Sequence, residues 1–582
     1  MAQIQKLGND DISQLFETLN STFKLSGCQT YYPILGKFMS VPNTSASLRN
    51  YSFDTKYWCS AITSTEDVQL TNCIKAFGFI RKINKDKSIS VFHHPIIVKI
   101  APLLDPIKLL TNEYSDLATS HLPEEQYNTL GHGLTSVNLY DKLEKTPTNW
   151  LLPNLYNTLA IDKINSHYNT SYIETFAMYL LNKLVENGKC PTFPYFYGSV
   201  NGIKSEYFHD ITDEYPALSH ETYFLKQKNR TFELILGENN SEISFDTESD
   251  TSNLDITTDD FDDFDDNDND NNNNNNNNNN DNNNNNNNNN ILNARRLSSR
   301  LSSSSICSEK LSDNSSGYET VDEEIIKDSS LSSTSTHSYK TDRSFNSEFE
   351  DEDVGQAYVK LPDFPVQLNV MECLDYTLDE LLDDDYDMSQ KEWASILFQT
   401  AFGLAVVQKH HQFCHNDLHS DNIMFKKTGE KYLYFHIQNK LYKIPTFNKI
   451  TKIIDYARGT FKVNNKWYLS DVFDKNGDAD GQYNWNTRKF QGNYSFDLTR
   501  LGTTIIERLV DKPDILALVK SWLITDNGGT IIDDDTDTFD IYLKISKECH
   551  NAVPLQVLNN KVFKQFQIPK KYGPKNKFIY YF

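Results

Sequence analysis

The run His415-Asn416-Asp417-Leu418-His419-Ser420-Asp421-Asn422 holds the densest set of chemically useful groups in this 582-residue chain. An Asp and an Asn five residues apart on one loop can hold a proton acceptor and a metal ligand at a single site. Ile423-Met424-Phe425 follows at once and reads as a short buried strand. Lys452-Ile453-Ile454 is a second buried run, and it ends by presenting the carboxylate of Asp455. Upstream, Lys99 lies on a β-branched run and Glu174 lies early on a helical pattern, so the two can pair. Singly, a Lys or a Glu is most often a solvated surface charge. The signal is the order: strand Lys, helix Glu, loop Asp-x4-Asn, strand-end Asp.

These residues need elements to position them. Ile96 to Ile100 reads as a strand. Residues 172–185 place apolar groups at helical spacing, with Asn169 or Thr170 as the cap. Pro191 to Gly198 breaks into a Tyr/Phe-rich strand, and Val366 to Met371 reads as another. Residues 390–409 form a strongly apolar helix, and Asp497 to Val510 an amphipathic one. Tyr432 to Phe435 and Leu441 to Ile444 read as an extra hairpin. A strand-rich part followed by a helix-rich part predicts an α+β fold in two unequal lobes.

The net charge of −24 has an address: residues 238–357 carry 28 acidic and 7 basic side chains. Within them, residues 267–290 hold 21 Asn and 3 Asp. Such a composition buries too little apolar surface to fold alone and reads as a disordered insertion. Arg296-Leu297-Ser298 inside it reads as an ordinary basic-Ser patch rather than a phosphorylation site. The remainder is nearly neutral, which argues against a nucleic-acid binder, since that needs a basic face. No run of about 18 apolar residues predicts a membrane span, and the first residues do not read as a signal peptide. Eight scattered Cys without a CxxC pair suit a reducing, cytoplasmic setting and give no zinc framework.

The ordered set resembles the eukaryotic-type protein kinase family over roughly residues 70–200 and 360–525. Residues 415–422 look like the His-Arg-Asp catalytic loop, and Asp455-Tyr456-Ala457 looks like the Asp-Phe-Gly motif. Val98-Lys99 looks like the end of the Val-Ala-Ile-Lys strand, and Glu174 falls where the helix-C Glu belongs. Asn369 to Leu374 looks like the hinge, with Met371 as gatekeeper, and Phe496-Asp497 like the start of helix F. Within that family it resembles the atypical serine/threonine kinases of giant amoeba-infecting viruses, which would place the protein in host cytoplasm or virion.

The resemblance implies a bilobal kinase-like fold, with a small β-rich N-lobe and a larger helical C-lobe. Its expected limits are an N-terminal extension 1–69, an N-lobe 70–237 with an insertion about 101–168, the acidic insertion 238–357, the last N-lobe strand and hinge 358–374, and a C-lobe with its extension 375–582. It implies ATP and Mg²⁺ as cofactors and a protein substrate as partner. Lys99 would hold the α/β-phosphates, oriented by Glu174. Asp455 and Asn422 would hold Mg²⁺, and Asp417 would accept or orient the substrate hydroxyl. Backbone groups of Glu372 and Leu374 would meet the adenine, and Gly78 is the one glycine placed to serve the phosphate loop.

The pattern departs from the family in places. Asn416 stands where an Arg is usual, His419 where a Lys is usual, and Ala457 where a Gly is usual. An acidic stretch with Asp474, Asn476, Asp478, Asp480 and Gly481 has the outline of a calcium loop, but Thr487 stands where a bidentate Glu belongs, so it reads as a solvated turn. Two rival functions follow. His419 favours a small-molecule phosphotransferase of the same fold. The poor glycine loop favours a pseudokinase scaffold that binds partners through the acidic insertion.

Overall fold

The computed structural model describes residues 3–30, 33–38, 51–65, 72–114, 158–237, 356–383, 386–473, 483–484, 489–490, 492–532, 540–574 and 577–582. Nearly all of the acidic tract, with Arg296 to Ser298, lies outside the described residues, as do Asp474 to Gly481 and Thr487. The fold is mixed α+β.

Its main sheet is antiparallel and has seven strands. We label these β1 (Leu25–Gln29), β2 (Tyr57–Thr65), β3 (Cys73–Ile83), β4 (Ile89–Pro102), β5 (Phe196–Asp210), β6 (Glu233–Leu236) and β7 (Ala357–Glu372). The order is β1-β5-β7-β4-β3-β2, with β6 also on β7. Strand β7 is central: it pairs with β5 along one side, and with β6 and then β4 along the other. Its run Phe364, Val366, Leu368 and Val370 is buried. Pro362 and Pro365 fall between the stretches paired to β6 (357–360) and β4 (366–372), where that side of the ladder asks for no donor.

The sheet begins earlier than the expected limit at residue 70, which falls inside the β2–β3 hairpin. Residues 1–69 therefore supply β1, β2 and helix α1 (Asn9–Phe23), rather than a separate extension. The signal was present. Ile12, Leu15, Leu19 and Phe23 make a helical stripe and are all buried. The expected insertion also starts late, because β4 runs to Pro102 and a short helix, Pro106–Leu110, follows it.

Helix α2 (Thr170–Glu186) begins where expected. The Asn169 side chain caps it by accepting from the Ser171 N–H at 3.1 Å. The same Asn169 donates to the Leu103 carbonyl at 2.9 Å, and Ser171 Oγ donates to the Pro102 carbonyl at 2.6 Å. These bonds fasten the start of α2 to the end of β4, so the helix carrying Glu174 is indexed to the strand carrying Lys99. Tyr172, Ile173, Phe176, Tyr179 and Leu180 bury it on almost every side.

Beyond β7 helices hold more of the described residues than strands do. Helix α3 (Gln390–His411) is capped by Ser389 and is buried along nearly its whole length. A three-stranded sheet joins Tyr376–Thr377, β8 (Ile423–Lys427) and β9 (Lys449–Ile453). The expected extra hairpin is present as β10 (Tyr432–Ile437) and β11 (Lys440–Pro445), and it pairs further with Gln567–Ile568 and Ile579–Tyr581. Helix α4 (Phe496–Ile505) passes into a 3-10 turn, Ile506–Leu509, and helix α5 (Asp540–Glu548) follows later. Among the described residues, no helix is long and apolar enough to cross a membrane.

Candidate active site

The loop after α3 is held from beneath by one buried carboxylate. Asp497, at the start of α4, accepts from the His415 N–H with both oxygens at 3.0 Å, and from the Asn416 N–H at 3.0 Å. Burial raises the pKa of Asp497, opposed by His415 and by these backbone bonds. Asn416 takes the left-handed conformation, φ 63°, which Asn tolerates better than most residues. Its amide donates to the Arg458 carbonyl at 2.9 Å and to Thr460 Oγ1 at 3.1 Å. The His415 imidazole Nε2 donates to the Ile454 carbonyl at 2.8 Å. The loop is thereby bonded to the segment that presents Asp455.

Asn422 is oriented by both of its N–H groups. One donates to the Asp417 carbonyl at 2.8 Å and the other to His419 Nε2 at 2.9 Å. The carbonyl is an obligate acceptor, which settles which end of the amide faces it, and the amide oxygen is turned away. The Ile454 N–H donates to the Asn422 carbonyl at 3.0 Å, which ties the ends of the two segments together. Asp455 has φ 60°, a strained conformation for a non-glycine residue. Its Oδ1 lies 3.4 Å from Lys99 Nζ and 3.3 Å from the Ala457 N–H. An amide oxygen and a carboxylate on joined segments are hard donors of the kind Mg²⁺ takes. Among the described residues, no cluster of three or more His, Cys, Asp or Glu could hold a metal ion unaided.

Lys99 and Glu174 meet as expected, at 2.6 Å, and both are buried. Lys99 stands opposite Cys73 on β3 and Asn369 on β7, in the middle of the sheet. Burial disfavours its charge, but Asp455 and Glu174 more than offset this and raise its pKa. Burial also pushes Glu174 up, with Lys99 opposing. Tyr456 is buried below, its hydroxyl bonded to the Ile453 carbonyl and its ring against Phe193, Phe413 and His415. That anchoring, with Ala457 in place of a more permissive Gly, restricts the backbone after Asp455.

Sequence reasoning missed what surrounds Asp417. Its Oδ1 accepts from the Tyr542 hydroxyl at 2.6 Å. Burial would raise the Asp417 pKa, but the Arg458 guanidinium, His419, the Arg500 guanidinium and the Tyr542 bond outweigh it and hold the carboxyl below its ordinary value. Tyr542 is 125 residues away on α5, and no motif spacing announces it. Lys452 was read only as part of a strand, yet its ammonium donates to the Phe193 carbonyl at 2.9 Å and to Glu372 at 3.1 Å.

A stretch of 107 residues, 18% of the chain, is 33% identical to the serine/threonine-protein kinase haspin of Bos taurus. The corresponding identity to haspin of Mus musculus is 31% over 107 residues. The match spans 12% of the bovine protein and 13% of the mouse protein. It is a partial, protein-kinase-like similarity. No known family model matches the sequence.

The remaining expected positions divide. Met371 and Leu374 are buried at the end of β7 and just beyond it. Glu372 accepts from the Tyr195 N–H at 3.1 Å and from Lys452, so its side chain braces the turn out of the sheet. Gly78 is not in a loop. It lies buried in the middle of β3, where an added Cβ would meet Ile96 Cδ1 at 2.8 Å and the Ala61 carbonyl at 3.1 Å. It is a glycine of close strand packing. The connection between β2 and β3 covers residues 66–72 and contains no glycine.

Proposed function

We propose that this protein is an ATP- and Mg²⁺-dependent kinase that transfers the γ-phosphoryl group to Ser or Thr hydroxyls of protein substrates. The observation that carries the reading is the buried Lys99 ammonium, bonded to Glu174 at 2.6 Å and 3.4 Å from Asp455. A cation held by two carboxylates at the meeting of sheet, helix and loop is suited to binding a polyphosphate in fixed position. Lys99 binds the α/β-phosphates while Glu174 fixes its direction. Backbone groups of Glu372 and Leu374 hold the adenine. Asp417 accepts the proton of the acceptor hydroxyl as its oxygen attacks the γ-phosphorus and ADP departs. Its low pKa keeps it ionised, and positioning rather than basicity supplies most of its effect. Mg²⁺, when bound by Asp455 and Asn422, neutralises phosphate charge. The reading includes a bilobal arrangement about a hinge at Asn369 to Leu374 and a likeness to the viral kinases.

The rival reading is a small-molecule phosphotransferase, favoured by His419 in the place of a Lys. Purified protein with labelled ATP and Mg²⁺ tests both. Label on casein or on the protein itself supports the kinase, and label on added small alcohols alone supports the rival. Neither label nor nucleotide binding in a folded sample leaves the scaffold. Loss of label in Asp417→Ala and Asp455→Ala, with unchanged melting, assigns the transfer to this site.

A further inference from the structure

Tyr542 does to Asp417 what the acceptor hydroxyl must do. Its phenol donates to Oδ1 at 2.6 Å, and that carboxylate is the proton acceptor in the kinase reading, on which this inference rests. The ring is seated by other contacts as well. The Arg458 guanidinium lies 5.3 Å from its centroid, the Arg500 guanidinium 5.1 Å, and the Phe496 ring 6.1 Å. Arg500 is buried, and so is Phe496. A hydroxyl on another molecule that approached Oδ1 along the same line would meet the phenol.

Helix α5 is built unevenly along its length. Its C-terminal end is fastened: Ile545 and Cys549 are buried, and Asn493 donates to their carbonyls at 3.0 and 2.8 Å. The Asp526 N–H donates to the Glu548 carbonyl at 2.8 Å. Its first turns carry Ile541, Tyr542, Leu543 and Lys544, all half-buried. The C-terminal end, bonded to Asn493 and Asp526, keeps the helix attached if the first turns lift.

We propose that Tyr542 occupies the acceptor position in the resting protein, so that α5 is an intramolecular competitor which a protein substrate must displace. Tyr542→Phe tests it, because the substitution keeps the ring and its packing and removes only the hydroxyl. Rates are measured with casein as acceptor, alongside the ATP dissociation constant and the pH profile of kcat. The expected result is a rise of about tenfold in kcat/KM for casein, the size of one charge-assisted hydrogen bond, with ATP binding unchanged. An unchanged kcat/KM overturns the proposal. So does a fall in kcat with the acid limb displaced to higher pH, which would make Tyr542 a positioning residue for Asp417. Absence of ATP binding in both proteins sinks the kinase reading, and the competitor with it.

Discussion

Asp417 and Asn422 stand five residues apart and are held by their own backbone, whereas Lys99 and Glu174 stand 75 residues apart and are held by each other. In the loop, the Asn422 amide, the Asp417 carbonyl and the two N–H groups on Asp497 fix the geometry through short-range bonds. In the pair, no local bond sets the 2.6 Å separation; it depends on a sheet, a capped helix and the two side-chain bonds that join them. The energetics diverge accordingly. A buried ion pair sits between a large desolvation cost and a large attraction, so loss of one partner is felt by the whole fold. A surface of backbone bonds around a loop can lose a functional side chain with little effect beyond the chemistry.

The comparison is most easily broken through the pair. Glu174→Ala should destabilise the protein by about 3–5 kcal/mol in urea unfolding, because Lys99 keeps only the longer contact to Asp455. A change under about 1 kcal/mol would show that the pair is solvated or dispensable. Asp417→Asn is the complementary case: phosphoryl transfer should drop at least about a hundredfold while the urea midpoint moves less than in Glu174→Ala. Asp497→Ala lies between the two. Leaving the His415 and Asn416 N–H groups without their acceptor should cost about 1–3 kcal/mol and lower activity as the loop relaxes.

A pH experiment sharpens the same contrast. The Asp417 pKa is depressed, so the group contributes stability above its unfolded pKa, and that contribution is lost as pH falls through the folded value. The acid limb of activity should therefore lie below the ordinary carboxylate range. Arg458→Gln removes the largest of the cationic influences, so the limb should move to higher pH, and a limb that does not move would assign it to another group. The smallest effect is expected from deleting residues 241–353, which should leave the melting temperature within a few degrees.

The same difference explains what the sequence made legible. Asp417, Asn422 and Asp455 were found as candidates because each belongs to a contiguous string whose neighbours also carry meaning, such as Ile423-Met424-Phe425. Lys99 and Glu174 were found only through order along the chain, yet the described contact joins them. The strands and helices of this part followed from β-branched runs and helical spacing, and β10 with β11 from the runs Tyr432 to Phe435 and Leu441 to Ile444. Gly78 was misplaced because a lone glycine does not distinguish a loop from close strand packing, and Ile96 with the Ala61 carbonyl decides for the latter. Helix α1 was overlooked though its apolar stripe is regular. Tyr542, Arg458 and Arg500 could not be found by spacing, since only the packing of α4 and α5 brings them to Asp417.

The acidic tract enters and leaves the fold through one clamp. The Gly237 N–H donates to the Gln356 carbonyl at 2.7 Å, directly beyond the β6–β7 ladder. Whatever number of residues lies between, the strand that follows re-enters in the same register. That ladder and its clamp are made by residues 233–237 and 356–360, so a change in the number of asparagines alters none of the bonded residues. The length of the run is therefore uncoupled from the position of Lys99, which is read against β7 in the same sheet.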